Sequence, residues 1–180
     1  KPTIFITGGS QGASIINKIV FEILPTLLSD FRVIHQVGSH DLDKALAVQE
    51  KLSGESVDYE VFDFSFKKAE NAFVGSELVI CRAGANTIGE LAALSKASIL
   101  IPYRYAASDH QQKNARYLEK SNAAILIRED NLTSKVLLER VKYLFSNPKN
   151  IETLGKNCSK IIKHDGLNFV TEEIVKFIKG

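Results

Sequence analysis

Six short runs rich in branched apolar residues alternate along the chain with stretches of helical periodicity, and this alternation constrains the fold more than any other feature. Thr3 to Thr7 runs straight into Gly8-Gly9-Ser10-Gln11-Gly12-Ala13, after which Ile15, Ile16, Ile19, Val20, Ile23, Leu24 and Leu27 follow the 3.6-residue period of a helix. Pro25 falls inside that pattern and is expected to kink the helix or to break it near its end. The same strand, turn and helix grammar recurs. Arg32 to Val37 precedes a helix through Leu42 and Leu52, and Val57 to Val61 precedes an aromatic turn and a short helix from Ala69 to Val74. Leu78 to Cys81 leads into a helix reaching about Lys96. Ser98 to Pro102 leads through a loop into a helix carrying Ala115, Tyr117 and Leu118, for which Asp109 is the natural N-cap. Ala123 to Ile127 is the sixth run, and helices at 133–146, 149–164 and 167–179 complete the pattern.

Runs of this kind, too apolar to be half exposed and separated by helices, predict an α/β fold. The expected architecture is a Rossmann-like open parallel six-stranded sheet with helices on both faces. At 180 residues with 44% hydrophobic content, residues 1–180 are expected to form a single domain around one well-filled core. Open sheets of this class bind ligands beyond the carboxyl ends of their strands, near the point where strand order reverses. The polar turns after strands one, four and five all lie at that end by construction.

The charge balance, 23 basic against 21 acidic residues, gives a net charge of +2 and no field that favours nucleic acid. Lys156, Lys160, Lys163, Lys176 and Lys179 gather late at helical spacing, which reads as a solvated face. Cys81 and Cys158 match no zinc or redox spacing, so reduced thiols in a cytosolic compartment are expected. His35, His40 and His164 have no metal-like spacing either, so no metal and no cofactor is assigned. No run of apolar residues is long enough for a membrane-spanning helix, and there is no signal peptide. The start at Lys1-Pro2, without a Met, reads as a piece of a longer protein.

Two turns carry candidate chemistry. Gly8-Gly9-Ser10-Gln11-Gly12 is neither a dinucleotide fingerprint nor a P-loop, because the first glycine of the one and the Gly-Lys-Ser/Thr of the other are missing. Its glycines still let the backbone approach a ligand, and Ser10 adds a hydroxyl suited to a phosphate oxygen. Gly84-Ala85-Asn86-Thr87 opens a helix, with Asn86 or Thr87 as cap. Unpaired N–H groups and the positive end of the dipole there can hold an anion, while Glu90 one turn in can accept bonds from sugar hydroxyls. Gln111 and Gln112 suit vicinal hydroxyls, being donors and acceptors at once. His110 invites a reading as a catalytic base, set against the plainer reading of an exposed polar residue at a helix start. Of the aromatic turn, Phe62 and Phe64 are expected in a buried cluster, and Phe66, against two lysines, less so. These residues together predict a nucleotide-sugar site.

Three motifs in register carry a resemblance. Gly8-Gly9-Ser10-Gln11-Gly12-Ala13, Cys81-Arg82-Ala83-Gly84-Ala85-Asn86-Thr87-Ile88-Gly89-Glu90, and Ile101-Pro102-Tyr103 with Asp109-His110-Gln111 and Asn114-Ala115 closely resemble the C-terminal half of the MurG family. That family comprises the bacterial N-acetylglucosaminyltransferases of peptidoglycan synthesis, two-domain glycosyltransferases of the B fold. The resemblance implies a donor-binding half that takes UDP-N-acetylglucosamine and, in the whole protein, passes the sugar with inversion to lipid I, giving lipid II. It further implies that Ser10, with Gly9, contacts the diphosphate, as do the backbones of Gly84, Ala85 and Asn86, supported by Thr87, Ile88 and Gly89. Glu90 would hold the ribose hydroxyls, main-chain groups at Phe66 would read the uracil edge, and Gln111 or Gln112 would hold the N-acetylglucosamine hydroxyls.

The resemblance places the catalytic base and the acceptor site in an N-terminal domain absent from these 180 residues. No catalytic residue is therefore assigned here, and the isolated piece is expected to be inactive. It also implies a cytoplasmic protein, peripheral on the inner membrane's cytoplasmic face. Alternatives are the donor-binding subunit of the dolichol-linked N-acetylglucosaminyltransferase, a non-catalytic UDP-sugar binding module, and a sugar-nucleotide hydrolase or epimerase needing an acid–base pair drawn from His110, Asp109 and Glu90.

Overall fold

β1 (Thr3–Thr7) is buried at all five positions, as expected of a strand with neighbours on both sides and helices on both faces. The structure is a computed structural model that describes residues 1–52 and 58–161. Around β1 it builds a six-stranded sheet in which every pairing is parallel, with β2 (Arg32–Gln36) and β3 (Tyr59–Phe62) on one side. β4 (Leu78–Cys81), β5 (Ala97–Leu100) and the two-residue β6 (Ile125–Leu126) lie on the other, giving the order β3-β2-β1-β4-β5-β6. The chain moves outward from β1 through β2 and β3, then returns to lay β4 against the opposite edge of β1. The order therefore reverses between β1 and β4.

Alternate residues of each strand serve opposite faces, which divides the core in two. Ile4, Ile6, Val33, Leu78, Ile80 and Ile99 join one apolar cluster with α1 (Ser14–Asp30), α2 (Leu42–Leu52) and α6 (Ser134–Phe145). Phe5, Ile34, Val79, Cys81 and Leu100 join the other with α3 (Phe66–Gly75), α4 (Ala85–Ala93) and α5 (His110–Lys120). α7 (Pro148–Ser159) contributes Leu154 to the first cluster and Cys158 to the second. A fully buried side chain of this size stabilises the fold by about 1.5–3 kcal/mol, so the sheet centre dominates the energetics.

Several local expectations are corrected. Of the kink or break expected at Pro25, the break does not occur: α1 continues through it to Asp30, with Leu24 and Leu27 fully buried on either side. α4 starts at Ala85 with Gly84 as its N-cap and no side-chain cap, so neither Asn86 nor Thr87 serves. Asp109 occupies the N-cap position of α5 as expected, but in a left-handed conformation, φ 57°, and without a side-chain capping bond. Phe62 is buried but Phe64 is 44% exposed, since β3 ends at Phe62 and the turn carries Phe64 past the sheet edge. α3 begins earlier than expected, at Phe66, where the Ser65 side chain accepts a bond from the Lys68 N–H. Val57 and the helix expected at 167–179 lie outside the described residues, as do Lys163, His164, Lys176 and Lys179.

Candidate functional site

One register line places the site. Phe62, Gln36, Thr7, Cys81, Leu100 and Leu126 pair in turn across all six strands, and each is the last residue of its strand, so the loops that follow emerge side by side. At the reversal point between β1 and β4 they enclose a cleft of about 600 Å³. Its floor is formed by Thr7 and Gln36. Gly9 and Ser10 form one wall, Gly84 to Thr87 with Glu90 another, and Phe64, Phe66 and Phe73 an apolar third.

The glycine loop is held from below by a ring of hydrogen bonds. The Gly9 N–H donates to the Thr7 hydroxyl at 3.0 Å, that hydroxyl donates to Gln36 Oε1 at 3.2 Å, and Gln36 Nε2 reaches the Gly9 carbonyl at 3.5 Å. The Gly12 N–H closes the turn on the same carbonyl at 3.0 Å. With its backbone fixed this way the loop leaves Ser10 exposed at the rim. Thr7 and Gln36 were not foreseen as site residues. The signal for Gln36 was a polar residue at the buried end of a strand, 3% exposed, which needs partners of its own.

Behind Gln36 a second network runs through the first core. Buried His35 bonds through Nε2 to Asn17 Oδ1 at 3.0 Å and through Nδ1 to the Tyr59 hydroxyl at 3.1 Å. Asn17 Nδ2 in turn donates to the Val37 carbonyl and to Asp41 Oδ2, at 2.9 and 2.8 Å. Burial lowers the His35 pKa to about 3, against a smaller upward pull from Asp41, so the ring is neutral. Its Nε2 then donates to Asn17, and its Nδ1 accepts from Tyr59.

α4 presents its first turn to the cleft. The Ile88 N–H is the first to find a helical acceptor, the Gly84 carbonyl at 3.0 Å, which leaves the N–H groups of Ala85, Asn86 and Thr87 for a ligand. Ile88 and Gly89 do not line the cleft, and Ile88 packs toward the second core cluster. Glu90 stands exposed at the mouth, where desolvation by the cleft walls raises its pKa above the usual carboxylate value. Phe64 and Phe66 meet edge to face at 4.7 Å, and Phe66 is 80% exposed.

A second cleft of about 780 Å³ lies on the other side of the glycine loop, between Gly12 to Ile15 and the loop after β5. Gln111 lines it, with Oε1 accepting the Tyr103 N–H at 3.0 Å. Gln112 lines neither cleft. It is buried, and its Oε1 has no partner among the described residues. His110 is exposed at the start of α5 and also lines neither cleft. Arg82 and Glu129, also in the second cleft, form an ion pair that sequence reasoning missed, because their juxtaposition depends on how β4 and β6 are placed.

The site can bind an elongated ligand. It offers backbone donors and a helix dipole for anionic groups between β1 and β4, one carboxylate and an apolar wall to one side, and an amide to the other.

Comparison with known proteins identifies the family and the fold. Residues 3–168 match the glycosyltransferase family 28 C-terminal domain. A Thermoanaerobacter protein named UDP-N-acetylglucosamine–N-acetylmuramyl-(pentapeptide) pyrophosphoryl-undecaprenol N-acetylglucosamine transferase is 37% identical over 186 aligned positions, covering 100% of this chain and 48% of that protein. A Clostridium botulinum protein of the same name is 38% identical, covering 99% of this chain and 48% of its own length. The crystal structure of Acinetobacter baumannii MurG superposes with a TM-score of 0.74 at 27% identity, covering 98% of this chain and 50% of that one. The chain thus spans about half the length of these relatives. Matched over nearly its whole length, it belongs to the glycosyltransferase family 28 C-terminal domain family.

Proposed function

We propose that this chain is the donor-binding half of an inverting glycosyltransferase that transfers N-acetylglucosamine from UDP-N-acetylglucosamine to lipid I in peptidoglycan synthesis. The observation that carries the reading is the cleft at the strand reversal, where Ser10, the free N–H groups of α4 and Glu90 converge. The diphosphate lies across the Gly9-Ser10 turn and the start of α4, the ribose hydroxyls bond to Glu90, and the uracil edge meets main-chain groups at Phe66. The sugar extends into the second cleft toward Gln111, which lines it, rather than Gln112, which is buried. The names of the relatives support the donor and the acceptor in this assignment.

In such a transfer negative charge grows on the departing UDP as the acceptor hydroxyl attacks the anomeric carbon. Fixed N–H donors and the α4 dipole stabilise that charge without reorganising, and removing one such donor costs about 2.7–4 kcal/mol in enzymes generally. Among the described residues neither cleft is lined by a histidine. We place the base and the acceptor site in the other half of the whole protein, on the cytoplasmic face of the inner membrane. No helix among the described residues is long and apolar enough to cross a membrane.

Calorimetric titration with UDP, UDP-N-acetylglucosamine and UDP-glucose tests the donor site. Binding of UDP and preference for the N-acetylglucosamine derivative are expected, and absence of any binding at millimolar ligand overturns the reading.

A further inference from the structure

Beyond the donor cleft, one buried ion pair governs the loop that orients Gln111. Arg82 leaves the end of β4 and Glu129 opens the turn after β6, and they meet at 2.5 Å with side chains only 12% and 6% exposed. Arg82 also donates to the Ile101 carbonyl at 3.0 Å and lies over the Tyr103 ring at 5.3 Å. The second carboxylate oxygen of Glu129 accepts the Arg104 N–H at 3.3 Å. One side chain therefore grips both a cation beneath the β5–α5 loop and the backbone of the loop itself. The Arg104 side chain is held in addition by Asp130, at 2.8 Å.

The grip reaches the sugar end of the site through one further bond. Tyr103, next to Arg104, donates its N–H to Gln111 Oε1 at 3.0 Å. This occupies the amide oxygen and leaves the Nε2 hydrogens of Gln111 as donors at the second cleft. Release of the Arg104 N–H would let the loop shift and take with it the Pro102–Tyr103 peptide whose N–H holds Gln111, leaving Gln111 to swap amide oxygen and nitrogen and exchange a donor for an acceptor at the sugar. A buried pair is suited to prevent this, because separating it leaves an uncompensated charge in a low-dielectric site.

We propose that Glu129 is a positioning residue for the sugar end of the donor: through Arg82 and the Arg104 N–H it fixes the β5–α5 loop, and through the loop the orientation of Gln111. The sugar assignment rests on the function proposed above, whereas the control of the loop does not.

The test uses the full-length protein carrying this chain, with Glu129→Gln and Glu129→Asp. The first removes the charge. The second keeps it but is too short to reach both partners. Expected for either is at least about tenfold faster hydrogen exchange at the Arg104 amide, with Gly9 and Gly12 unchanged. Expected also is about a tenfold rise in KM for UDP-N-acetylglucosamine with inhibition by UDP altered less than about twofold, the loss of one hydrogen bond at the sugar alone. A parallel rise in both constants, or no change at the Arg104 amide, overturns the proposal, as does failure of both variants to fold, which would assign Glu129 to the fold. If the wild-type protein neither binds UDP nor uses the sugar donor, the function proposed above fails while the exchange measurement still decides the loop.

Discussion

Gly12 lies so close to Val37 that a Cβ built on it would stand 2.2 Å from the Val37 carbonyl oxygen. Its neighbour across the contact, Gly38, would meet the Gly12 amide at 2.8 Å in the same way. The turn after β1 is thus pressed onto the turn after β2, backbone on backbone, at the edge of the second cleft.

Gly12→Ala is expected to destabilise the protein, since it adds a left-handed penalty at φ 76°, about 1–2 kcal/mol, to overpacking of about 1–3 kcal/mol. Chemical denaturation reads the sum. UDP affinity should fall as well, because the displaced loop carries Ser10. A variant of wild-type stability and affinity would show that this contact does not set the loop.

The His35 network makes stability depend on acid. The folded pKa of about 3 lies below the unfolded value near 6.5, so the unfolded chain takes up a proton first as pH falls. The stabilisation is complete above about pH 6.5 and declines by up to about 1.4 kcal/mol per pH unit between there and the folded pKa. His35→Leu should flatten this slope between pH 6.5 and 5. It should also cost about 1–3 kcal/mol for each buried partner it strands, Asn17 Oδ1 and the Tyr59 hydroxyl. Urea midpoints measured across that range check both effects.

Phe66→Pro separates main-chain recognition from fold. Phe66 is the first residue of α3, where proline is tolerated, and Ser65 before it is already extended at φ −153° and ψ 115°. Thermal stability should hold, while UDP binding drops at least about tenfold if the Phe66 N–H reads the uracil edge. Phe66→Ala, which keeps that N–H, should lose much less. Equal losses in the two variants would assign recognition to the ring.

Glu90→Ala should weaken UDP about 10- to 100-fold, the worth of hydrogen bonds to a charged group, and thymidine diphosphate far less, since that ligand lacks the ribose 2′-hydroxyl. Because the Glu90 pKa is raised, wild-type affinity for UDP should begin to fall at a higher pH than an ordinary glutamate would dictate. Titrations at several pH values with both nucleotides decide this, and equal losses for the two would remove Glu90 from the ribose.

The alternation of apolar runs with helical periods was enough to establish the sheet, its parallel strands and helices on both faces, because strand and helix periods are properties of local sequence. β1 and β4 fall on the residues read from the chain, Thr3–Thr7 and Leu78–Cys81. The motifs that identify the family were equally legible, since each turn's small residues are set by its own backbone. What the chain could not reveal was decided between elements. Phe64 faces the cleft because β3 stops at Phe62, and of two adjacent glutamines Gln111 lines a cleft while Gln112 is buried, because only the packing of α5 sets which side turns outward. Arg82 and Glu129 meet only because β5 alone lies between β4 and β6 in the sheet. Sequence sets which groups a turn can offer, and the order of the strands sets which turns stand side by side.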